Sequence, residues 1–574
     1  MTHKFIPPHL RQYIVDQDYA KYSEVDHAVW RFIIRISIDF FEDHAYKSYL
    51  DGLNKTGISI NRIPLIDDMD RKLSEFGWGA VCVRGFIPPA AFMELQSLGI
   101  LPIASDMRIL SHLTYTPAPD IVHEAAGHAP ILADQAYADY LRKYGEVANK
   151  AISSDKDNEV YYAIRYLSDI KENPSSNSKE IKDAEKSLEN AVSNVDYISE
   201  AALLSRMNWW TVEYGLIGDI NNFKIYGAGL LSSVGESQSC LKKSVTKIPF
   251  SINCIKQSYN ITEPQPQLFV TPNFNFLSDV LDEIKEQMAF TRGGSFALQK
   301  ALEAKTVCTV QLNSNMQISG ILSKYIESNN SEPCYIQFIG PVQLCRYNYQ
   351  IDNHGGSYHS DGYGSAIGKV KGFNKSIYDF NDDDIKELSL IKNEVVLITF
   401  ESGITINGLI TNVMEKNGRI LLVSFSNCEV KYDNEILFSP LWGTYDMVCG
   451  ETVESVYGGP ADFEEYSAYM PDYSIKAINS PITKSSSKSE ILLQSMYEQV
   501  NTMLEKNCFD KTSIDLILKT LNDQYPEDWL IKMNILELAN KNNEQVDGLL
   551  NEISLLIDET ELGQVIKRGL NSIS

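Results

Sequence analysis

The sequence lacks a cysteine framework. Its nine cysteines (Cys82, Cys240, Cys254, Cys308, Cys334, Cys345, Cys428, Cys449 and Cys508) are odd in number, scattered, and include no C-x-x-C pair. That pattern predicts reduced thiols in a cytoplasm rather than a disulfide-stapled fold. A basic excess is also missing. Lys and Arg total 51 against 76 Asp and Glu, a net charge of −25. Such a balance repels phosphate backbones and anionic lipid surfaces, so neither nucleic acid nor membrane is expected as a partner. No run of about 18 apolar residues occurs, so no spanning helix is expected. Met1 to Gln12 carries no apolar core of signal-peptide type. What remains is an ordinary globular composition: 574 residues, 44% hydrophobic and 22% charged. At roughly 150 residues per domain, this length predicts about three or four domains.

The first 300 residues read as mainly helical. Tyr19 to Tyr49 carries Val29, Phe32, Ile33, Ile36 and Phe40 at helix spacing. Asp67 to Phe76 is similar, and Ala80 to Val83 reads as a short strand. Residues 152–198 are polar and predict an inserted pair of exposed helices joined by a loop around Pro174. Composition changes near residue 305. From Val307 to Tyr457, alternating Val, Ile, Thr and Tyr predict strands. A weak repeat at an offset of 88 residues relates Ile318-Ser319-Gly320 to Ile406-Asn407-Gly408. Two small antiparallel β modules follow from it, at 305–375 and 390–460, joined by an acidic linker from Asn374 to Lys392. Ser480 to Lys488 reads as a second linker. Residues 485–574 then return to helix periodicity, as a C-terminal helical bundle. The fold class expected is therefore multidomain: a mainly α-helical unit over 1–300, two β modules and a helical tail.

One segment carries chemistry: Pro119-Asp120-Ile121-Val122-His123-Glu124-Ala125-Ala126-Gly127-His128-Ala129-Pro130. The two histidines are five residues apart, not four as in zinc proteases. On a straight helix such positions diverge by about 140°. Both imidazoles reach one metal only if the helix ends or distorts, which Gly127 and Pro130 allow. From the residues alone they are either metal ligands or partly buried polar groups. A second segment, Trp209-Trp210-Thr211-Val212-Glu213-Tyr214, places a carboxylate among aromatics with no adjacent cation. Buried there, Glu213 needs a partner or a metal; otherwise it points to solvent. Two histidines and one carboxylate would form a facial triad suited to non-haem Fe(II) and oxygen.

These stretches, together with Tyr226-Gly227-Ala228-Gly229-Leu230-Leu231-Ser232-Ser233-Val234-Gly235-Glu236 and Tyr259 to Pro266, resemble the tetrahydropterin-dependent aromatic amino acid hydroxylases. The resemblance covers roughly residues 20–290. It implies a catalytic domain of that family's fold, with Fe(II) and a tetrahydropterin as cofactors and O₂ as co-substrate. It further implies that His123, His128 and Glu213 bind the iron. Glu124 would touch the pterin or a water at the metal. Val83, Gly85, Phe86 and Ile87 resemble the family's pterin-contacting loop, with Phe92 stacking on the pterin. Arg108 would pair with the substrate carboxylate, supported by Asp120. Thr116 and Ser232 would hold the amino acid, with Pro119 and Trp209 lining its ring. Glu124 and Ser232 are the implied catalytic residues.

The sequence also departs from the family. Pro102 stands where a histidine often contacts the pterin, and Asn208 where many members carry tyrosine. The implied reaction is ring hydroxylation of a small aromatic amino acid. Phenylalanine is the first expectation, because Trp209 resembles phenylalanine and tyrosine hydroxylases, and Ile261 stands where tyrosine hydroxylases tend to carry an acid. A tryptophan hydroxylase, or a non-catalytic binding or regulatory module with a decayed pterin site, are the rival readings. The Gly-rich stretch His354 to Gly364 offers His354, His359 and Asp361 as further ligands, or else forms a turn between strands. A homo-oligomer assembled through the C-terminal half is the partner expected of the β modules.

Overall fold

A computed structural model describes residues 6–113, 119–172, 176–261, 263–470, 487–546 and 548–573. The helical first half is built around α1 (Glu24–His44). Ser23 and Asp26 cap its start reciprocally, and Val29, Trp30, Phe32, Ile33 and Ile36 turn its apolar stripe into the core. Beside it, β1 (Gly79–Val83) and β2 (Ile100–Ala104) pair in parallel. A second small sheet has the order β4-β3-β6-β5, with β3 Leu216–Asp219, β4 Asn222–Ile225, β5 Thr246–Pro249 and β6 Gln267–Thr271. The polar stretch forms two helices, α2 (Asp155–Glu172) and α3 (Ser178–Ser193). The former is partly covered, with Ala163, Leu167 and Ile170 buried. Further on, α4 (Ala228–Ser232) packs closely across Gly127.

The β half contains β7 (Val307–Leu312), β8 (Met316–Glu327), β9 (Pro333–Arg346), β10 (Tyr349–Gln350) and β11 (Gly362–Ala366). The next sheet contains β12 (Val395–Thr399), β13 (Thr405–Lys416), β14 (Arg419–Tyr432), β15 (Glu435–Phe438) and β16 (Tyr445–Val448). The repeat has a structural counterpart: both second strands are 12 residues long and both third strands 14. Its glycine recurs for a reason. The register shifts between Ser319 and Ile321 in one copy and between Asn407 and Leu409 in the other. A Cβ on Gly320 would lie 2.9 Å from Val342, and one on Gly408 3.1 Å from Cys428. Glycine thus admits the neighbouring strand where each sheet bends.

The boundaries differ from the sequence expectation. β17 (Val453–Gly458), counted within the second module, pairs antiparallel with β7 and completes the first sheet. The acidic linker is also structured, with a capped helix at Asp382–Glu387. Of the Ser480 to Lys488 linker, residues 480–486 lie outside the described residues.

The tail includes α5 (Lys488–Lys506), α6 (Trp529–Lys541) and α7 (Glu561–Asn571). These helices share one hydrophobic cluster with α1: Val500, Leu530, Met533 and Ile566 belong with Phe32 and Ile33. Buried polar links run along the same seam. Arg31 donates to Asn501 at 3.1 Å, and Asn501 donates to the Glu24 carbonyl at 3.0 Å. Arg35 pairs with Glu537. No described helix is long and apolar enough to cross a membrane.

Candidate metal centre and active-site cleft

The five-residue spacing is solved by winding. Val122–His128 is a π-helix, whose wider turn brings positions i and i+5 onto one face. The distortion therefore spans the whole segment instead of arising at Gly127 or Pro130. Gly127 serves a different need. A Cβ there would lie 2.8 Å from the Ala228 carbonyl oxygen, so glycine lets α4 cross the histidine-bearing helix closely. Trp209–Glu213 is also π-helical and brings Glu213 to the histidines.

The three donors converge. His123 Nε2 lies 3.2 Å from His128 Nε2. The two Glu213 oxygens lie 3.3 Å from His123 Nε2 and 3.4 Å from His128 Nε2. Ligand atoms about 2.0–2.1 Å from a tetrahedral ion are about 3.3 Å apart, so the triangle fits a first-row metal. The far side of His123 is set for the same task. Ser232 Oγ donates to the Ala228 carbonyl at 2.7 Å, which leaves it as acceptor for His123 Nδ1–H at 2.9 Å. The lone pair is thereby directed from Nε2 toward His128 and Glu213. Burial alone would raise the Glu213 pKa, but His128 and His123 outweigh it and hold the carboxyl well below its usual range. Glu124 is the opposite case. Burial, aided by Glu213 and Asp120 and opposed by His128, pushes it up to about 8. Its Oε2 is buried, has no hydrogen-bond partner, and lies 4.0 Å from His128 Nε2. An orphaned polar atom beside a ligand set is a place for a bound group.

Arg108 and Asp120 form a buried, two-pronged pair, with Nε and Nη2 at 2.7 and 2.8 Å from the two carboxylate oxygens. Asp120 also accepts the backbone N–H of Arg108 and of His123, both at 3.1 Å. It thus ties the guanidinium to the start of the helix that carries His123 and His128. Burial would raise the Asp120 pKa, yet Arg108 and these bonds hold it below the usual carboxylate value. Arg108 Nη1 donates to the Ser232 carbonyl at 3.3 Å. Among the described residues, three of its five N–H donors are engaged, which leaves one on each terminal nitrogen.

An open cleft is lined by Gly85, Phe86, Ile87, Arg108, Asn208 and Tyr259. Gly85 adopts φ +57°, and its N–H donates to Asp106 at 3.2 Å, which shapes the loop after β1. Val83, Ile87 and Phe92 pack together in a small hydrophobic cluster under that loop. Asn208 Oδ1 is buried without a partner. Pro102 lies buried in β2, paired with Val81. Trp209 stacks on Tyr259 with ring centres 4.3 Å apart, and its indole N–H donates to Gln265 at 3.2 Å. Tyr259 and Gln265 are additions to the sequence-derived set; the Tyr259 to Pro266 stretch had signalled them only as a motif. Pro119 is half-buried beside Asp120. Thr116 lies outside the described residues.

Two imidazoles and one carboxylate from separate elements, with an arginine and an aromatic wall nearby, make up the donor set of non-haem iron oxygenases. Residues 12–166 and 196–324 match the biopterin-dependent aromatic amino acid hydroxylases, and the chain belongs to that family. The match reaches into β8, further than the motifs alone extend, and omits 167–195 within the α2–α3 pair. Among curated relatives, a phenylalanine-4-hydroxylase of Mesorhizobium japonicum is 28% identical over 51% of this chain and 91% of its own length. One from Pseudomonas aeruginosa is 28% identical over 47% of this chain and 86% of its own. A solved Chromobacterium violaceum phenylalanine hydroxylase with bound iron(III) and 7,8-dihydrobiopterin is 25% identical. It covers 49% of this chain and 92% of its own, with a TM-score of 0.38.

Proposed function

We propose that the chain hydroxylates phenylalanine to tyrosine, with Fe(II) held by His123, His128 and Glu213, a tetrahydropterin and O₂. The observation that carries this reading is the convergence of the three donors with their ligand atoms turned toward one another. Family membership and the curated phenylalanine-4-hydroxylases support the substrate. When bound, iron and pterin supply the site for O₂ and the two electrons needed to place one oxygen atom on the ring.

The chain's own residues bind and orient. The two N–H groups of Arg108 that have no partner among the described residues receive the substrate carboxylate in a fork, while Asp120 holds the guanidinium in place. Trp209, fixed by Tyr259 and Gln265, is a flat wall for the substrate ring. Ser232 holds the His123 tautomer. Glu124, whose buried carboxyl is pushed up from its ordinary value, offers an unpartnered oxygen beside His128. The Gly85–Phe86–Ile87 loop and the unpartnered Asn208 carbonyl are the contacts offered to the pterin.

A decayed binding module would not need a complete ligand set with an oriented histidine behind it. The C-terminal half we assign to self-assembly, supported by Val395 and Leu397 of edge strand β12, 68% and 62% exposed. Incubation with Fe(II), tetrahydropterin and all three aromatic amino acids tests the activity. Tyrosine from phenylalanine is expected, and its loss in His123→Ala. No stoichiometric iron binding, or undiminished tyrosine formation by that variant, overturns the reading.

A further inference from the structure

A second cluster of the same chemistry lies far from the first in sequence. His354 and His359 are again five residues apart, and both are buried. Here the backbone is a loop between β10 and β11, folded back on β9. The N–H groups of Leu344 and Val342 donate to the carbonyls of His354 and His359 at 2.9 and 3.0 Å. The rings face each other, with His354 Nδ1 3.2 Å from His359 Nε2. The third group is not Asp361, the sequence expectation, but Asp446 on β16 of the other sheet. Donor atoms of His354, His359 and Asp446 all lie within 4.8 Å of one another.

The carboxylate is what makes this more than a histidine pair. Asp446 is 4% exposed; its Oδ1 accepts the Ser424 hydroxyl at 2.5 Å, the Tyr358 hydroxyl lies beside the carboxylate, and its buried Oδ2 has no partner of good hydrogen-bond geometry. A buried carboxylate oxygen without a well-placed donor is unfavourable, and the imidazole proton held between the two rings is not available to it. A cation held by all three groups would satisfy it. The 3.2 Å nitrogen separation matches the edge of about 3.3 Å expected for ligands 2.0–2.1 Å from a tetrahedral ion. Imidazole with carboxylate suits the zinc-like first-row metals and not calcium or magnesium. Tyr358 packs edge-on against both rings, at 5.4 and 4.7 Å.

We propose that His354, His359 and Asp446 bind a divalent zinc-class metal ion, separate from the His123 centre, which cross-links the two β sheets. The seam already has lighter ties. The Tyr445 hydroxyl accepts the Ala366 N–H at 2.9 Å, and the Tyr363 hydroxyl accepts the Val448 N–H at 3.2 Å. The ion would clamp the loop of one sheet to a strand of the other, with a structural role.

The test uses the full chain, stripped with a chelator and titrated with Co²⁺, whose visible absorption reports coordination. The unaltered chain is expected to bind two equivalents. His123→Ala/His128→Ala is expected to retain one, displaced by Zn²⁺, and to lose it on adding Asp446→Asn. Zn²⁺ should also raise the melting temperature of the His123→Ala/His128→Ala chain. If that chain binds no Co²⁺ or Zn²⁺, or binds as before with Asp446→Asn and His359→Gln present, the proposal fails. Should the Asp446 or His359 variants not fold, the titration of His123→Ala/His128→Ala alone decides: one equivalent supports the site, none overturns it.

Discussion

Cutting the Arg108–Asp120 pair separates its structural from its binding role. Both side chains are almost completely buried, at 2% and 1% exposure, and Asp120 accepts four hydrogen bonds. Removing one partner of such a pair leaves a buried charge uncompensated and costs about 3–5 kcal/mol. Asp120→Ala and Arg108→Met are each expected to lower stability by that amount. Replacing both, as Arg108→Met/Asp120→Ala, removes the charges together. The double variant should therefore be less destabilised than the two singles added, with a coupling of about 2 kcal/mol or more. Activity should behave differently. Loss of a two-pronged contact to the substrate carboxylate is worth about 3 kcal/mol, or roughly 100-fold in kcat/KM, and the double variant cannot recover it. Urea midpoints and steady-state kinetics on the four proteins give the whole cycle. Additive stability losses would refute the buried pair. Wild-type kcat/KM in the double variant would refute the carboxylate-binding role of Arg108.

Ser232→Ala deprives His123 Nδ1–H of its acceptor and should weaken Fe(II) or Co²⁺ binding at the first centre by about 10–100-fold; an unchanged titration would show that the hydroxyl does not orient the ring. His27 is 2% exposed and accepts the Ile63 N–H at Nδ1, and burial, with Arg62 nearby, lowers its pKa to about 4. Its contribution to stability is full above pH 6.5, the ordinary histidine value, and is lost as the pH falls toward about 4. His27→Asn should flatten the urea midpoint over that window, and an identical pH profile would refute the assignment. Truncation after residue 470 uncovers the buried side of α1, so the remaining chain should melt earlier or fail to remain soluble. A shortened chain with unchanged melting temperature would show that α5–α7 are dispensable to the first core.

The parts of the fold legible in the sequence are those written in local pattern. The stripe of α1, the short run at β1 and the glycine-marked strand repeat each announce themselves through residues a few positions apart. What was not legible depends on remote pairings. β17 looks like any strand, and nothing in it names β7 as its neighbour. The tail's apolar stripes predict burial but not against what, yet Arg31 meets Asn501 across 470 residues. Polar residues such as Asn501 and Glu537 look solvent-facing in sequence, because their partners arrive only on folding. The residue types that converge as His123, His128 and Glu213 stand out for the same local reason, since two histidines and a glutamate are unusual in apolar surroundings. Tyr259 and Gln265 fix Trp209 through packing, which no spacing encodes.

The two H-x₄-H pairs show how little spacing says by itself. One is held on a π-helix, the other in a loop, and an ideal α-helix would have presented neither pair to one ion. In both, the deciding group comes from a distant element: Glu213 from another π-turn, Asp446 from another sheet. That third group also sets how open each centre is. The first keeps His123 and Glu213 side chains 18% and 16% exposed, and Arg108, which bonds the Ser232 carbonyl behind it, lines the open cleft. The second closes over its donors, none more than 8% exposed, at a seam between sheets. A reacting centre must exchange substrate and product, whereas a clamp gains by excluding water, which strengthens its electrostatics. On the roles proposed for the two clusters, the difference in exposure, more than the nearly identical donor chemistry, therefore separates the catalytic centre from the structural one.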